Sequence, residues 1–487
     1  MSDKYILGID QSTAGTKALL FDSIGSLVCR YDIPHCQIID DKGWVEHNLE
    51  EIYRNTIEVV RQIITASGID KSQIVAIGIS NQRETAAVWD RATGKPIYNA
   101  IVWQCPRGES ICKRIAGSGW SEKIKTVTGL NLSPYFSAAK IAWILENINV
   151  GNNQLCAGTI DSWLIYKLTG NFKTDYSNAS RTQLFDLKAL EWNTEVCEIF
   201  GIDSSFLPEV CDSDACFGHT DFEGFFDSPL PINSTMGDSH GALFGQGCHK
   251  PGMMKATYGT GSSIMMNIGD APLLSDKGVV TSIAWGMSGK VEYVLEGNIN
   301  YTGAVVKWIA DDLELIQSPA LSADYAAKAN PEDEAYLIPA FSGLGAPYWD
   351  SMARAAICGM SRTTGKAEII RAAVECIAYQ IADVVDAMLE TAGIESESLR
   401  ADGGATKNEY LMQFQSDILS LPVMVPAIEE LSGVGAAYMA GIATGLYDKE
   451  KVFADMRRTQ YEPAMRGEIR QKKLSGWKNA VKMVLGK

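Results

Sequence analysis

Twice in this chain an apolar run, a polar glycine/threonine turn and a second apolar run follow one another. Residues 5–10 (YILGID) end in a carboxylate, Gln11-Ser12-Thr13-Ala14-Gly15-Thr16 follows, and residues 17–22 (KALLFD) return apolar. Far downstream, residues 253–258 (MMKATY) lead into Gly259-Thr260-Gly261-Ser262, and residues 263–268 return. Each reads as a β-hairpin with a polar tip. Helical patterns and further short strands follow each one. After the first come a helix over 49–66, capped by Asn48 and closed by Gly68, and a near-continuous apolar strand over 74–79. After the second come a helix over 366–391, a strand over 399–402 ending in Gly403-Gly404-Ala405, a helix over 408–419 and a strand over 423–425. A Gly/Ala-rich helix over 433–445 allows close packing. The basic segment 457–487 reads as a helix closing the second half. The chain is thus expected to be α/β, built as a weak internal duplication whose boundary falls in 244–252. That gives two domains, 1–248 and 249–487, with a cleft between them.

The 487 residues suffice for two or more large cores. The formal net charge of −16 makes nucleic acid and anionic lipid unfavourable partners, while a local patch could still hold a small phosphorylated molecule. The 11 cysteines form no CxxC pair, which argues against a zinc ribbon or disulfide framework and fits reduced thiols in a cytoplasmic protein. The N-terminus lacks the pattern of a signal peptide, and no apolar run is long enough for a transmembrane helix.

The two tips carry the first candidate chemistry. Glycine lets a backbone approach a phosphate, and Ser/Thr hydroxyls add donors; each tip taken alone is also an ordinary β-turn. Asp10, directly before the first tip, could hold Mg²⁺, largely through water. No G-x-x-x-x-G-K-[ST] occurs, and no G-x-G-x-x-G lies between a strand and a helix, so P-loop and dinucleotide sites are unsupported. Asp238, in Met236-Gly237-Asp238-Ser239-His240-Gly241, lies at the inferred boundary. It could take a proton from an attacking hydroxyl, or cap the helix that follows. Arg83 and Glu84 at a strand end could grip vicinal hydroxyls or form a surface ion pair. Trp103 and Tyr135 fit a sugar platform or a core. The five histidines show no metal-ligand spacing.

Taken together these residues resemble the FGGY carbohydrate kinase family, and within it the glycerol kinases most closely. The matching stretches include 81–89 (NQRETAAVW), 99–104 (NAIVWQ), 134–143 (PYFSAAKIAW), 158–164 (GTIDSWL) and 174–182 (TDYSNASRT). They continue with 242–248 (ALFGQGC), 257–261 (TYGTG) and 339–350 (PAFSGLGAPYWD). The resemblance implies the actin-like, RNase H-like duplication and transfer of the γ-phosphate of Mg-ATP to a terminal hydroxyl of a small polyol or sugar. It implies Asp10 near Mg²⁺, and Gln11, Ser12, Thr13 and Lys17 on the transferred phosphate. Arg83, Glu84, Trp103, Tyr135, Asp238, Ser239 and Ser263 would face the polyol, with Asp238 as base. Gly259 and Thr260 would form the second phosphate loop, and Gly303, Lys307, Gly404, Ala405 and Asn408 would line the nucleotide. Family members are often homo-oligomers, and that remains open here.

Several positions depart from the glycerol kinase pattern. Lys17 replaces an arginine, Ser239-His240 a Gln-Gln pair, Ser263 a phenylalanine, Lys307 a glutamine, and Cys105-Pro106 an Asp-Arg pair. If Ser239 and Ser263 line the pocket, it is larger and more polar, suiting a four- or five-carbon polyol or ketose; if neighbours refill the space, glycerol remains the substrate. A nucleotide-driven conformational ATPase of the actin or chaperone class would share the fold, but has no need of the polyol constellation.

Overall fold

In the computed structural model, which describes residues 3–151 and 154–486, each half is built on one mixed sheet. In the first half β1 (Tyr5–Gln11), β2 (Gly15–Phe21), β3 (Leu27–Pro34), β4 (Ile74–Asn81), β5 (Gly218–Thr220) and β6 (Leu230–Gly237) lie in the order β3-β2-β1-β4-β6-β5. In the second, β7 (Met254–Tyr258), β8 (Ser262–Gly269), β9 (Val280–Met287), β10 (Lys290–Ile299), β11 (Leu399–Asp402), β12 (Val423–Pro426) and β13 (Arg458–Tyr461) lie in the order β9-β10-β8-β7-β11-β12-β13. With the extra edge strand β9 set aside, both sheets show the same sequence of pairings: antiparallel, antiparallel, parallel, parallel, antiparallel. The duplication read from the two hairpins is therefore a duplication of whole sheets.

The local reasons are ordinary. β1, β2 and β4 are buried along nearly their whole length, as continuous apolar runs in a covered sheet should be. The helix α1 (Leu49–Ser67) starts where Asn48 accepts from the Glu51 amide and ends at Gly68 with φ 68°, and its Ile52, Val60, Ile63 and Ile64 cover the first sheet. In the second half α4 (Lys366–Ala392) is buried through most of its length and packs on the sheet and on α6 (Gly467–Leu485), whose Trp477 donates to Asp383 at 2.7 Å. The basic tail is only partly the expected helix: Arg458–Tyr461 is an edge strand, because β12 offers it a free backbone edge.

Between the sheets lie two short-contact helices. α3 (Asp238–Gly245) follows β6, and α5 (Leu431–Ala443), from the far end of the sequence, lies against α3, β1 and β4 of the first half. The approach is as close as backbone allows. A Cβ on Gly435 would meet the Gly241 carbonyl oxygen at 1.9 Å, and one on Gly78 the Ala436 carbonyl oxygen at 2.1 Å. Leu19, Phe21, Ala76, Met236 and Leu243 share one core with Val434, Ala437 and Met439. Among the described residues no helix is long and apolar enough to cross a membrane, and all 11 cysteines are free.

Candidate active site

The end of β4 delivers the first group. Residues 81–84 leave the sheet through a tight turn in which the Thr85 amide bonds the Arg83 carbonyl at 2.7 Å, and Glu84 is held at φ 58°. A left-handed glutamate costs on the order of 1 kcal/mol or more, which surrounding contacts must offset. They do: Ser137 Oγ donates to the Glu84 carbonyl at 3.1 Å, and Arg181 Nε donates to the Glu84 carboxylate at 2.6 Å. Burial raises Glu84's pKa, opposed by Arg83 and Arg181.

Arg83 is 4% exposed and turns back to the start of α3, where its Nε donates to Asp238 Oδ1 at 3.1 Å. The Ser239 amide donates to the same oxygen at 2.6 Å, so Asp238 keeps its other oxygen for the cleft, and its side chain is 36% exposed. The N-cap reading of Asp238 is not what forms: Gly237 is the cap residue, without a side-chain cap, and Asp238 is the first residue of α3, its carboxylate favourably placed at the positive end of the helix.

Trp103 and Tyr135 stand edge to face with ring centroids 5.6 Å apart, beside this turn. The indole Nε1–H of Trp103 donates to Thr13 Oγ1 at 2.9 Å, tying the aromatic pair to the first hairpin tip. Tyr135 is held from behind by Lys140 of α2 (Ser137–Asn147), whose Nζ donates to the Tyr135 and Phe136 carbonyls. Lys140 is wholly buried, and burial brings its pKa down to about 7.

The first tip is less uniform than the sequence suggests. Gln11 is fully buried, bonded to the Ser12 carbonyl and to Gln82 at 3.1 Å, so its amide braces the tip from below and is not free for a phosphate. Ser12 and Thr13 remain half-buried at the surface of the tip. Lys17 Nζ sits 2.5 Å from Glu430 and 3.7 Å from Asp10. Asp10 Oδ1 is buried without a hydrogen-bond partner among the described residues. Burial raises the Asp10 pKa to about 6; Lys17 opposes the shift, and Glu430 and Asp238 add to it.

The second tip meets the Gly404 turn and the helix at Gly303. The Gly303 amide donates to the Gly259 carbonyl at 3.0 Å, and Gly403, at φ 93°, lies where a Cβ would strike the Tyr258 carbonyl oxygen at 2.5 Å. Gly259, Thr260, Gly303, Lys307, Trp308 and Phe341 line an open hollow of about 910 Å³. Lys307 is at its rim, 74% exposed and 3.8 Å from Asp311. Gly404 and Ala405 follow in a short turn. Asn408 caps the helix after that turn and donates to Ser322 Oγ at 3.1 Å, so its side chain is engaged locally.

The departures separate into two groups. Cys105 is buried and accepts from Arg107 Nε at 3.1 Å, while Arg107 pairs with Glu46 at 2.7 Å and stacks over Trp44 and Trp143. This pair is packed into the first half's core and does not shape the hollow. His240 is also fully enclosed, its Nε2 3.3 Å from Ser282 Oγ on β9. Ser239 and Ser263 are half-buried; the Ser263 hydroxyl oxygen is itself buried without a hydrogen-bond partner among the described residues, and Ser263 lies opposite Asn298 on β10 and Thr257 on β7.

Two residues not singled out from sequence complete the site. Glu296 of β10 is fully buried and accepts from Arg83 Nη1 and Nη2 at 2.8 Å each; Arg181 Nη1 lies 3.0 Å from the same carboxylate. Burial alone would raise its pKa, but Arg181 and Arg83 outweigh this and hold Glu296 well below the usual carboxylate range. The signal was available: a glutamate inside the apolar run YVLEGNI must find a cation when the strand is buried.

A half-exposed carboxylate, a buried arginine, an aromatic pair and two glycine tips thus stand in one region of the molecule. The N-terminal domain model of the FGGY family of carbohydrate kinases matches residues 5–245, and its C-terminal domain model residues 254–444. The chain belongs to this family. It is an ATP-dependent phosphotransferase that acts on a hydroxyl of a small polyol or sugar, on the actin-like fold. The kinase is 47% identical over 490 residues to glycerol kinase 1 of Thermotoga maritima, covering 99% of each chain. The crystal structure of Plasmodium falciparum glycerol kinase with ADP superposes with a TM-score of 0.92 at 36% identity, over 99% of this chain and 98% of that one. A gluconate kinase from Lactobacillus acidophilus, 23% identical over 99% and 98% of the two chains, has the same fold with a TM-score of 0.89. A conformational ATPase without kinase activity is not favoured.

Proposed function

We propose that the kinase phosphorylates a terminal hydroxyl of glycerol, giving glycerol 3-phosphate, with residues 1–248 and 249–487 as its acceptor-side and nucleotide-side domains. The carrying observation is the hydrogen bond between Trp103 and Thr13: it joins the aromatic platform of an acceptor site to the tip beside which a phosphate would sit. The naming of relatives of nearly equal length as glycerol kinases supports the choice of acceptor.

In this reading Arg83 and Glu84 take the acceptor's other hydroxyls, Trp103 and Tyr135 cover its carbons, and Ser239 and Ser263 form the remaining wall. Asp238, with its cleft-facing oxygen, accepts the proton of the attacking hydroxyl. Ser12, Thr13, Lys17, Gly259 and Thr260 hold the phosphates, with Gly303, Lys307, Gly404, Ala405 and the backbone at Asn408 bounding the nucleotide. Transfer is then mainly positioning and charge neutralisation. The orphaned Asp10 Oδ1 fits Mg²⁺, held largely through water, which would neutralise phosphate charge. Closure of the two halves excludes water from the reacting phosphate.

The test is ADP release under Mg-ATP with glycerol, dihydroxyacetone, erythritol, erythrulose, ribulose and xylulose. Highest kcat/KM on glycerol supports this reading. A four- or five-carbon acceptor winning favours the second reading, motivated by Ser263 standing opposite Asn298 in a polar wall. ADP release that no acceptor stimulates would overturn both.

A further inference from the structure

Glu84, Arg181, Glu296, Arg83 and Asp238 form one unbroken chain of alternating charge. Its successive contacts are 2.6, 3.0, 2.8 and 3.1 Å. Four of the five belong to the first half; Glu296 alone comes from the second, on β10. Its two oxygens take the end of the Arg83 guanidinium, and Asn298 Nδ2 donates to Oε1 at 3.1 Å, fixing the carboxylate's plane.

We infer that Glu296 is a positioning residue for the acceptor, acting through Arg83 and supplied by the opposite half of the cleft. The inference rests on Arg83 being an acceptor contact, as proposed above. An arginine has five N–H donors in a fixed fork. Here one goes to Asp238 and two to Glu296, which leaves one on each terminal nitrogen for acceptor hydroxyls. Without the Glu296 charge, a cation 4% exposed keeps two neighbouring carboxylates, Glu84 and Asp238, and among the described residues Asp238 is the one already in contact with it, at 3.1 Å. The fork would turn from its one-nitrogen contact to a two-pronged one and take the oxygen that Asp238 offers to the cleft. Grip and base would be lost together, while the glycine tips that hold nucleotide stay untouched. Because Glu296 sits on the second half, the acceptor grip is complete only when the halves approach as they do here.

The test uses the intact chain with glycerol and ATP, or the best acceptor of the panel. Glu296→Gln keeps size and removes charge. The expected result is at least a tenfold fall in acceptor kcat/KM with the ATP KM within twofold of wild type. Glu296→Asp, which keeps the charge, recovers part of the loss. In an Arg83→Gln background, Glu296→Gln changes acceptor kcat/KM by less than twofold, since its effect passes through Arg83. Asn298→Ala, which loosens Glu296 without unpairing a buried charge, raises the acceptor KM two- to fivefold and serves if Glu296→Gln does not fold. Equal losses for acceptor and ATP, additive effects with Arg83→Gln, or an unchanged acceptor KM in Asn298→Ala would each overturn the inference. Wild type without activity on any acceptor would instead overturn the proposed function.

Discussion

Changing Asp238 to Asn is the sharpest test of the proposed chemistry, because the structure predicts what survives. Oδ1 already accepts from Arg83 Nε at 3.1 Å and the Ser239 amide at 2.6 Å, and an asparagine oxygen can keep both bonds. The start of α3 and the placement of Arg83 should therefore persist, and the thermal midpoint should stay within a few degrees. What changes is the cleft-facing atom, which becomes an NH₂ unable to take a proton. Loss of a positioned general base costs roughly 10²–10⁴ in rate, or about 3–5 kcal/mol in the barrier. The expected outcome is a fall of that size in kcat, with the KM for ATP and for the acceptor within about threefold. Steady-state ADP release coupled to NADH oxidation reads both parameters, and a melting curve confirms the fold. A variant with wild-type kcat would refute Asp238 as base. One with normal kcat and a hundredfold higher acceptor KM would show it to be a binding group only.

Three further outcomes follow from particular contacts. Gly403→Ala, forced to φ 93° against the Tyr258 carbonyl, should cost roughly 1–3 kcal/mol and raise the ATP KM more than the acceptor KM; an unchanged melting midpoint contradicts this. Lys140 has a pKa of about 7 in the fold against the ordinary lysine value of 10.5, so between those values the unfolded chain binds more protons and stability rises with pH. The wild type should therefore gain on Lys140→Met by on the order of 2 kcal/mol between pH 7 and pH 9, measured as the difference in urea unfolding free energy, and a pH-independent difference rules this out. Ser263→Phe should shift the ratio of glycerol to erythritol kcat/KM toward glycerol by about tenfold; an unmoved ratio means that residue 263 does not border the acceptor.

How much of this was readable from residues alone depends on whether a side chain's task is local. The hairpins, the Asn48 cap and the Gly68 stop were legible because turn chemistry and periodicity act over a few residues. So was the duplication, down to its glycine tips. The motif residues Arg83, Glu84, Trp103, Tyr135 and Asp238 do converge, yet sequence could not say that Gln11 turns inward or that Cys105 and Arg107 close over Trp44 and Trp143. Those outcomes depend on partners dozens of residues away. Arg181 lay inside a recognised stretch without a role, since its partner Glu296 is 115 positions further on, a pairing set by the meeting of two sheets. The edge strand at Arg458–Tyr461 has no apolar face to announce it; only the unpaired edge of β12 calls for it.

The docking of α5 on the first-half sheet has a consequence for how this chain is made. Ile6, Leu19, Phe21 and Ala76 find their covering residues at Val434, Ala437 and Ala440, near the far end of the sequence. A ribosome releasing the chain from its N-terminus must therefore expose most of the second half before the first can finish packing. Until then one apolar face, kept flat by Gly78, stands open. A fragment cut at the boundary between the halves would keep that bare face permanently. It should self-associate, whereas the same fragment supplied with residues 249–487 in trans has its missing cover restored.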